Sequence, residues 1–368
     1  MNKLRVLIAD DSVVYRSQIR NALAGLPWIE ISGVASNGRL ALERLQLSSV
    51  DLMILDLEMP EMDGIQTLRE MQLRGLKCPV LVFSSVSKRG AESTLEALGL
   101  GAIDFIAKPG GVEDGGEMKG EMDPVIRIKN LLIQKILGLF PDLEEHSVQE
   151  ITDRSVKPYA KVILDLFQPK AIVIGSSTGG PTVLEALFSK LSGPLRCPIF
   201  ITQHMPPIFT ATLAERLQKI SGIPTYEAKH NQIVEKNAVY VAPGNYHMRI
   251  KNDSGVLKIE LDQGPLVNSV RPAVDPLFQS AAQIYGDRCL GIVLTGMGAD
   301  GKVGAERVKE MGGVVLIQSE ETCVVFGMPG AVMSVGAYDQ VLSPDEIVEV
   351  LREKVANGVD LKLGRIYA

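Results

Sequence analysis

Cysteine is scarce. The chain has four, Cys78, Cys197, Cys289 and Cys323, in 368 residues. None forms a C-x-x-C pair, and each sits beside apolar residues, so four buried, reduced thiols are expected. Histidine is as rare, with four residues too dispersed for a zinc site. No run of 18 apolar residues occurs, which excludes a transmembrane helix. The N-terminal MNKLRVLIADDS has a short apolar run that ends at two aspartates, so no signal peptide is expected. Reduced thiols and no export make the expected location cytoplasmic. Basic excess is absent too. Net charge is −6, with 19 basic and 24 acidic side chains over 1–165 and 19 and 20 over 166–368. Neither half has the basic balance of a nucleic-acid binder. With 46% hydrophobic and 22% charged residues, the chain reads as a soluble globular protein of two domains.

Short apolar strands alternate with amphipathic helices through the first 110 residues. KLRVLIA, IEISGVA, DLMILD, PVLVFSS and AIDFIAK read as strands, with helical spacing between them. That pattern means a parallel sheet covered on both faces. It breaks at Pro109, where a Gly-rich acidic stretch, an amphipathic helix near 127–140 and a polar stretch follow. A second α/β pattern starts at KAIVIG (170–175) and runs through PIFITQ, LGIVLTG and GVVLIQ, with a β-rich stretch around YHMRIK and VLKIEL. The expected division is a first domain over 1–124, a linker with one helix over 125–168 and a second domain over 169–368.

The first constellation lies at strand ends. Asp10 and Asp11 end the first strand, Asp56 the third, Ser84 the fourth and Lys108 the fifth. All fall on the carboxyl edge of an open parallel sheet, where ligands bind. Three close carboxylates call for a cation, and hard oxygen ligands suit Mg²⁺. A carboxylate beside the metal is a nucleophile for a phosphoryl group. The competing reading makes each aspartate an N-cap of the next helix.

The second constellation is Gly175-Ser176-Ser177-Thr178-Gly179, a G-x-S-x-G between a strand and a helix. A sharp turn there exposes a serine beside helix N-terminal amides. The same Gly/Ser-rich turn also cradles phosphates in nucleotide-binding folds. His204 ends the next strand and is the expected general base. Asp300, in LTGMGADG, ends another strand; it either orients the imidazole or caps the following helix. The order Ser, His, Asp differs from that of α/β-hydrolases.

IADDS, DLEMPEMDG, the Ser84 position and AKPG make residues 3–109 similar to the response-regulator receiver domain. IGSSTGG, ITQHMPP, APGNYHM, RPAVDPLF, LTGMGADG and CVVFGMPGAV make residues 170–343 resemble the catalytic domain of the chemotaxis protein-glutamate methylesterases, the CheB family. The resemblance implies a flavodoxin-like receiver followed by a doubly wound, Rossmann-like esterase domain with a β-ribbon. It implies phosphorylation of Asp56, with Mg²⁺ held by Asp10, Asp11, Asp56 and the carbonyl of Glu58. Ser84 and Lys108 would contact the phosphoryl group, and Phe105 would be the aromatic switch. Ser177 would be the nucleophile, His204 the base, Asp300 the orienting acid and the Met297 amide the oxyanion donor, with Thr178 tuning the histidine. The esterase reaction would need no cofactor. Implied partners are methylated chemoreceptors as substrate and the chemotaxis histidine kinase CheA as phosphodonor, with no nucleic acid and no membrane insertion. The implied function is a phosphorylation-activated esterase that also deamidates glutamines. The rival is a receiver joined to a nucleotide-binding or other non-enzymatic output module. It is disfavoured because Gln203 and His204 stand where a dinucleotide site expects an acid.

Overall fold

Two parallel sheets organise the chain in the computed structural model, which describes residues 3–109, 124–144 and 164–355. The chain divides into two compact units. In the first, β1 (Leu4–Ala9), β2 (Ile29–Ala35), β3 (Leu52–Asp56), β4 (Val80–Ser84) and β5 (Asp104–Ala107) alternate with α1 (Val13–Leu23), α2 (Gly38–Leu47), α3 (Gly64–Leu73) and α4 (Lys88–Gly99). The strand order is β2-β1-β3-β4-β5, every pair parallel. β3 and β4 are buried at every residue, as strands with helices on both faces require. The order reverses between β1 and β3, so a crevice opens beyond their carboxyl ends.

One sequence expectation is corrected here. The helix assigned to a linker over 125–168 is α5 (Pro124–Leu139). It packs beside α1, and its stripe Ile128, Leu132 and Ile136 is fully buried in the core with Val6, Ile8, Ile54 and Phe83. The i, i+4, i+8 spacing supplies the apolar face that covers the sheet. The boundary at 124/125 therefore cut off an element that completes the first unit. The linker reading over 145–163 lies outside the described residues, as do 110–123 and 356–368.

The second unit contains β6 (Ala171–Ser176), α6 (Gly180–Ser189), β7 (Ile199–Gln203), α7 (Phe209–Ser221), β8 (Thr225–Glu227), β9 (Val239–Val241), β10 (His247–Asp253), β11 (Val256–Asp262), α8 (Val274–Tyr285), β12 (Cys289–Val293), α9 (Lys302–Glu310), β13 (Val314–Gln318), α10 (Gly327–Ser334), β14 (Gln340–Leu342) and α11 (Pro344–Val355). Its sheet runs β14-β13-β12-β6-β7-β9-β8, all parallel, and β10 and β11 form a separate antiparallel ribbon. The order reverses between β6 and β12, which puts the crevice above those two strands. β6, β7, β12 and β13 are buried throughout.

All four cysteines are free; Cys197 and Cys289 are buried, whereas Cys78 and Cys323 are only half-buried. Burial pushes each thiol up to about 12, so none is a ready nucleophile. No helix among the described residues is long and apolar enough to cross a membrane.

An ion pair with both side chains at most 2% exposed ties α9 to the turn before β14. Lys309 Nζ lies 2.6 and 2.8 Å from the two carboxylate oxygens of Asp339, and Val315 N–H donates to the same carboxylate. Asp339→Ala leaves the lysine buried and unpaired. We expect a loss of about 3–5 kcal/mol, read from urea unfolding followed by circular dichroism.

Candidate functional site

In the first unit, helix capping does not occupy the strand-end aspartates. Ser12 caps α1 and Asp63 caps α3 with a full capping box. The capping reading of Asp10, Asp11 and Asp56 is therefore set aside. One oxygen from each of the three lies within 4.8 Å of the others. Asp10 and Asp56 are buried, and Asp11 is exposed at the rim. Lys108 Nζ sits 2.8 Å from Asp56 Oδ2 and 3.1 Å from Asp10 Oδ2. It also lies over the Tyr15 ring, 4.6 Å from the centroid. Lys108 N–H donates to Ser84 C=O, which fixes β5 against β4.

The pocket holds three carboxylates against one ammonium. Burial pushes the Asp56 carboxyl up to about 6, although Lys108 works the other way. Burial also raises Asp10, against the opposing charge of Lys108. Burial pulls Lys108 down, but its bond to Asp56 and the charges of Asp56 and Asp10 hold it above its ordinary value. Asp10 Oδ2 is buried, with the Lys108 ammonium 3.1 Å away as its ion-pair partner. Excess negative charge and hard oxygens clustered within 4.8 Å of one another fit a divalent cation such as Mg²⁺. Glu58 is exposed beside the pocket, and its N–H donates to Asp56 Oδ1 over 3.3 Å. The Ser84 hydroxyl is buried and donates to Gly90 C=O. Phe105 is buried in β5, three residues before Lys108.

In the second unit, the three central strands deliver the other constellation. Main-chain bonds extend the ladder past the strand ends. Ser177 N–H donates to Thr295 C=O, His204 N–H to Ser176 C=O and Leu294 N–H to Gly175 C=O. Ser177, His204 and the loop 294–301 thus share one sheet edge. The Ser177 carbonyl is held twice, by Gly180 N–H at 2.8 Å and by Gln203 Nε2 at 2.9 Å. Gln203 accepts from the Ser176 hydroxyl through its other end.

Gly179 caps α6 with φ 77° and supplies no side-chain acceptor. A Cβ there would lie 2.6 Å from Val324 Cγ2, so only glycine fits the turn. Gly296 is equally constrained: a Cβ would meet Ser177 Cβ at 2.8 Å and Met328 Sδ at 2.3 Å. The half-buried Met297 follows directly, which brings the amide expected to receive the oxyanion close to the serine. Thr178 is fully buried, and its carbonyl accepts from Thr295 Oγ1.

His204 Nε2 lies 2.8 Å from Asp300 Oδ2. With that nitrogen committed to the carboxylate, the ring presents Nδ1 as the acceptor for a serine proton. Asp300 is 2% exposed. Burial works against its charge, but the bond and charge of His204 and the amides of Val274 and Asp275 hold it below the usual carboxylate range. It does not cap α9, whose cap is Gly301.

The structure adds residues that sequence reasoning missed. Asp275, in the first turn of α8, accepts from Gly304 N–H and from Asn268 Nδ2. Asn268 Nδ2 also donates to Asp300 Oδ1. Asp275 lay inside the quoted motif RPAVDPLF, where nothing singled it out. Gln203 and Thr295 carried no signal beyond their strand-end places. His247 is buried and bonded to Pro265 C=O and Ala273 N–H, away from any nucleophile role.

Burial and the charge of Asp300 push Asp275 up to about 6. A carboxyl raised on folding contributes stability that is full below about 3.9 and is lost as pH rises through about 6. Asp300, lowered on folding, contributes in the opposite sense, losing its share as pH falls. Asp275→Asn removes only the first contribution. The stability difference between variant and wild type should therefore move in the variant's favour from pH 4.5 to pH 7.5, as read from urea midpoints at both. A difference constant with pH would refute the raised carboxyl.

The fold and these two sites define a receiver-type acidic pocket joined to an α/β domain with a serine, histidine and aspartate at one sheet edge. Comparison with known proteins agrees. Residues 6–117 match the model for the response regulator receiver domain, and residues 172–351 match that for CheB methylesterase. The chain is 40% identical over 358 residues to the protein-glutamate methylesterase/protein-glutamine glutaminase of Trichodesmium erythraeum, covering 96% of this chain and all of that one. It is 42% identical over 355 residues to the protein of the same name from Nocardioides sp., covering 96% of each. The crystal structure of the Thermotoga maritima CheB methylesterase catalytic domain is 44% identical, with a TM-score of 0.49, over 50% of this chain and 98% of that one. The chain belongs to the protein-glutamate methylesterase/protein-glutamine glutaminase family, CheB.

Proposed function

We propose that this protein is a phosphorylation-activated serine esterase that hydrolyses glutamate γ-methyl esters on chemoreceptors and deamidates their glutamines. The observation that carries the chemistry is the 2.8 Å contact of His204 Nε2 with the buried Asp300 carboxylate at the sheet edge that also bears Ser177. Ser177 Oγ attacks the ester carbonyl and gives its proton to His204 Nδ1. The oxyanion is received by the Met297 amide, beside Thr178. Collapse breaks the carbon–methoxy bond, and His204 returns the proton so that methanol leaves. Water then attacks the acyl-enzyme by the same route, leaving glutamate and free Ser177. With glutamine the leaving group is ammonia.

Control rests on the first unit. Asp56 is the phosphate acceptor, and a histidine kinase, CheA, is the donor. Asp10, Asp11, Asp56 and the Glu58 carbonyl would hold Mg²⁺, which when bound neutralises the phosphoryl oxygens. Lys108 pairs with the phosphoryl group, Ser84 turns its hydroxyl to it, and Phe105 follows Ser84. Receptor methyl esters on the cytoplasmic side place the enzyme in the cytoplasm. The test is methanol release from radiomethylated receptor membranes, with and without Mg²⁺ and a small phosphodonor. Release that requires Ser177 and rises with the phosphodonor supports both halves of the reading. Release indifferent to Ser177 overturns the esterase.

A further inference from the structure

Asn268 and Ser269 form the tip of a two-residue turn. Both have positive φ, 52° and 65°, and Val267 and Val270 close the turn with two main-chain bonds. Asn268 itself is exposed. Its side-chain nitrogen nevertheless reaches two buried carboxylates, 2.9 Å from Asp275 Oδ2 and 2.9 Å from Asp300 Oδ1.

The neighbouring bonds show what this contact does. Asp300 Oδ2 accepts from His204 and from Val274 N–H at 2.6 Å. Asp300 Oδ1 accepts from Asp275 N–H and Gly301 N–H at 3.1 and 3.0 Å. All the main-chain donors come from the start of α8 and the turn into α9. Among the described residues, Asn268 is the one side-chain donor besides His204 that reaches Asp300. It also stands between two carboxylates that would otherwise face each other with no side-chain donor between them. An amide nitrogen carries two protons, one for each acceptor.

We propose that Asn268 is a positioning residue for the esterase reaction, its side-chain amide clamping Asp300 and Asp275 from the rim turn so that Asp300 holds the His204 ring in line with Ser177. This rests on the proposed function, because it assigns a role within that site. The titratable groups around the clamp are His204 from the end of β7, Asp275 from α8 and Asp300 from the loop after β12. Helix α9 adds only the amide of Gly304, which donates to Asp275.

Two substitutions test it without straining the turn. Asn268→Gly accepts positive φ and deletes the amide. Asn268→Asp keeps the shape and replaces the donor by a third acceptor. In both, kcat for methyl-ester hydrolysis is expected to fall at least ~10-fold, as for other residues that act through a liganding partner. KM should move less than about 3-fold. The acid limb of the kcat/KM profile should shift to higher pH, because a carboxylate that loses a donor takes up its proton more readily. A kcat within about 3-fold of wild type with an unmoved profile overturns the clamp. A raised KM with unchanged kcat also overturns it, and makes Asn268 a substrate contact. A second readout needs no receptor: the rate at which a fluorophosphonate labels Ser177. Slower labelling in the Asn268 variants, with receptor esters left uncut by wild type, keeps the clamp and sinks the proposed substrate. Unchanged labelling sinks the clamp alone.

Discussion

Ser177→Ala should abolish methanol release from methylated receptors, lowering kcat about 10⁴-fold or more, while the protein stays folded. The reason for the second half is local. The turn at Ser177 is held by its main-chain N–H on Thr295 and its carbonyl on Gly180 and Gln203. The hydroxyl bears none of that load. Removing it deletes the attacking atom and leaves the oxyanion donors, the imidazole and the core in place. Any remaining rate should be that of a site that binds and polarises but cannot form an acyl-enzyme. Mass spectrometry after a substrate pulse should find acyl adduct on wild type and none on the variant. A variant that still turns over would move the nucleophile elsewhere and break the proposed mechanism.

Asp56→Asn should remove the response to phosphodonor altogether, leaving basal esterase activity unchanged. Asp56 is buried, paired to Lys108 at 2.8 Å and grouped with the oxygens of Asp10 and Asp11. An amide has no nucleophilic oxygen to accept the phosphoryl group, and it removes one of the three charges that make the pocket fit a divalent cation. Label from a radioactive small-molecule phosphodonor should fall to background. The ratio of stimulated to basal methanol release should fall to one. Stimulation that survives in the variant would place the acceptor at another residue.

Much of this was legible beforehand, for a physical reason. In a parallel sheet the strands are continuous apolar runs, so the first polar residue after each run marks the carboxyl edge. Asp10, Asp56, Ser84 and Lys108 stood at such points, and Ser177 and His204 directly follow the polar strand ends Ser176 and Gln203. The failures have reasons too. α5 follows a long Gly-rich acidic stretch, and its buried stripe of Ile128, Leu132 and Ile136 cannot say from sequence which sheet it covers. α10, GMPGAVMS, carries Gly and Pro that read as loop. β8 and β14 have three residues each, too few for a period. Asn268 sits in a turn outside every motif. Its partners Asp275 and Asp300 meet it through the fold alone.

The ladder bond from His204 N–H to the Ser176 carbonyl has a further consequence. The proposed reacting couple is carried by the register of two adjacent core strands, while the side chains that orient it, Asp300 and Asn268, come from loops. Rim loops that carry neither Asp300 nor Asn268 can lengthen, shorten or change composition without loosening the couple. The same reagent can thus be offered to new acyl groups over evolutionary time while the sheet that aims it is inherited intact.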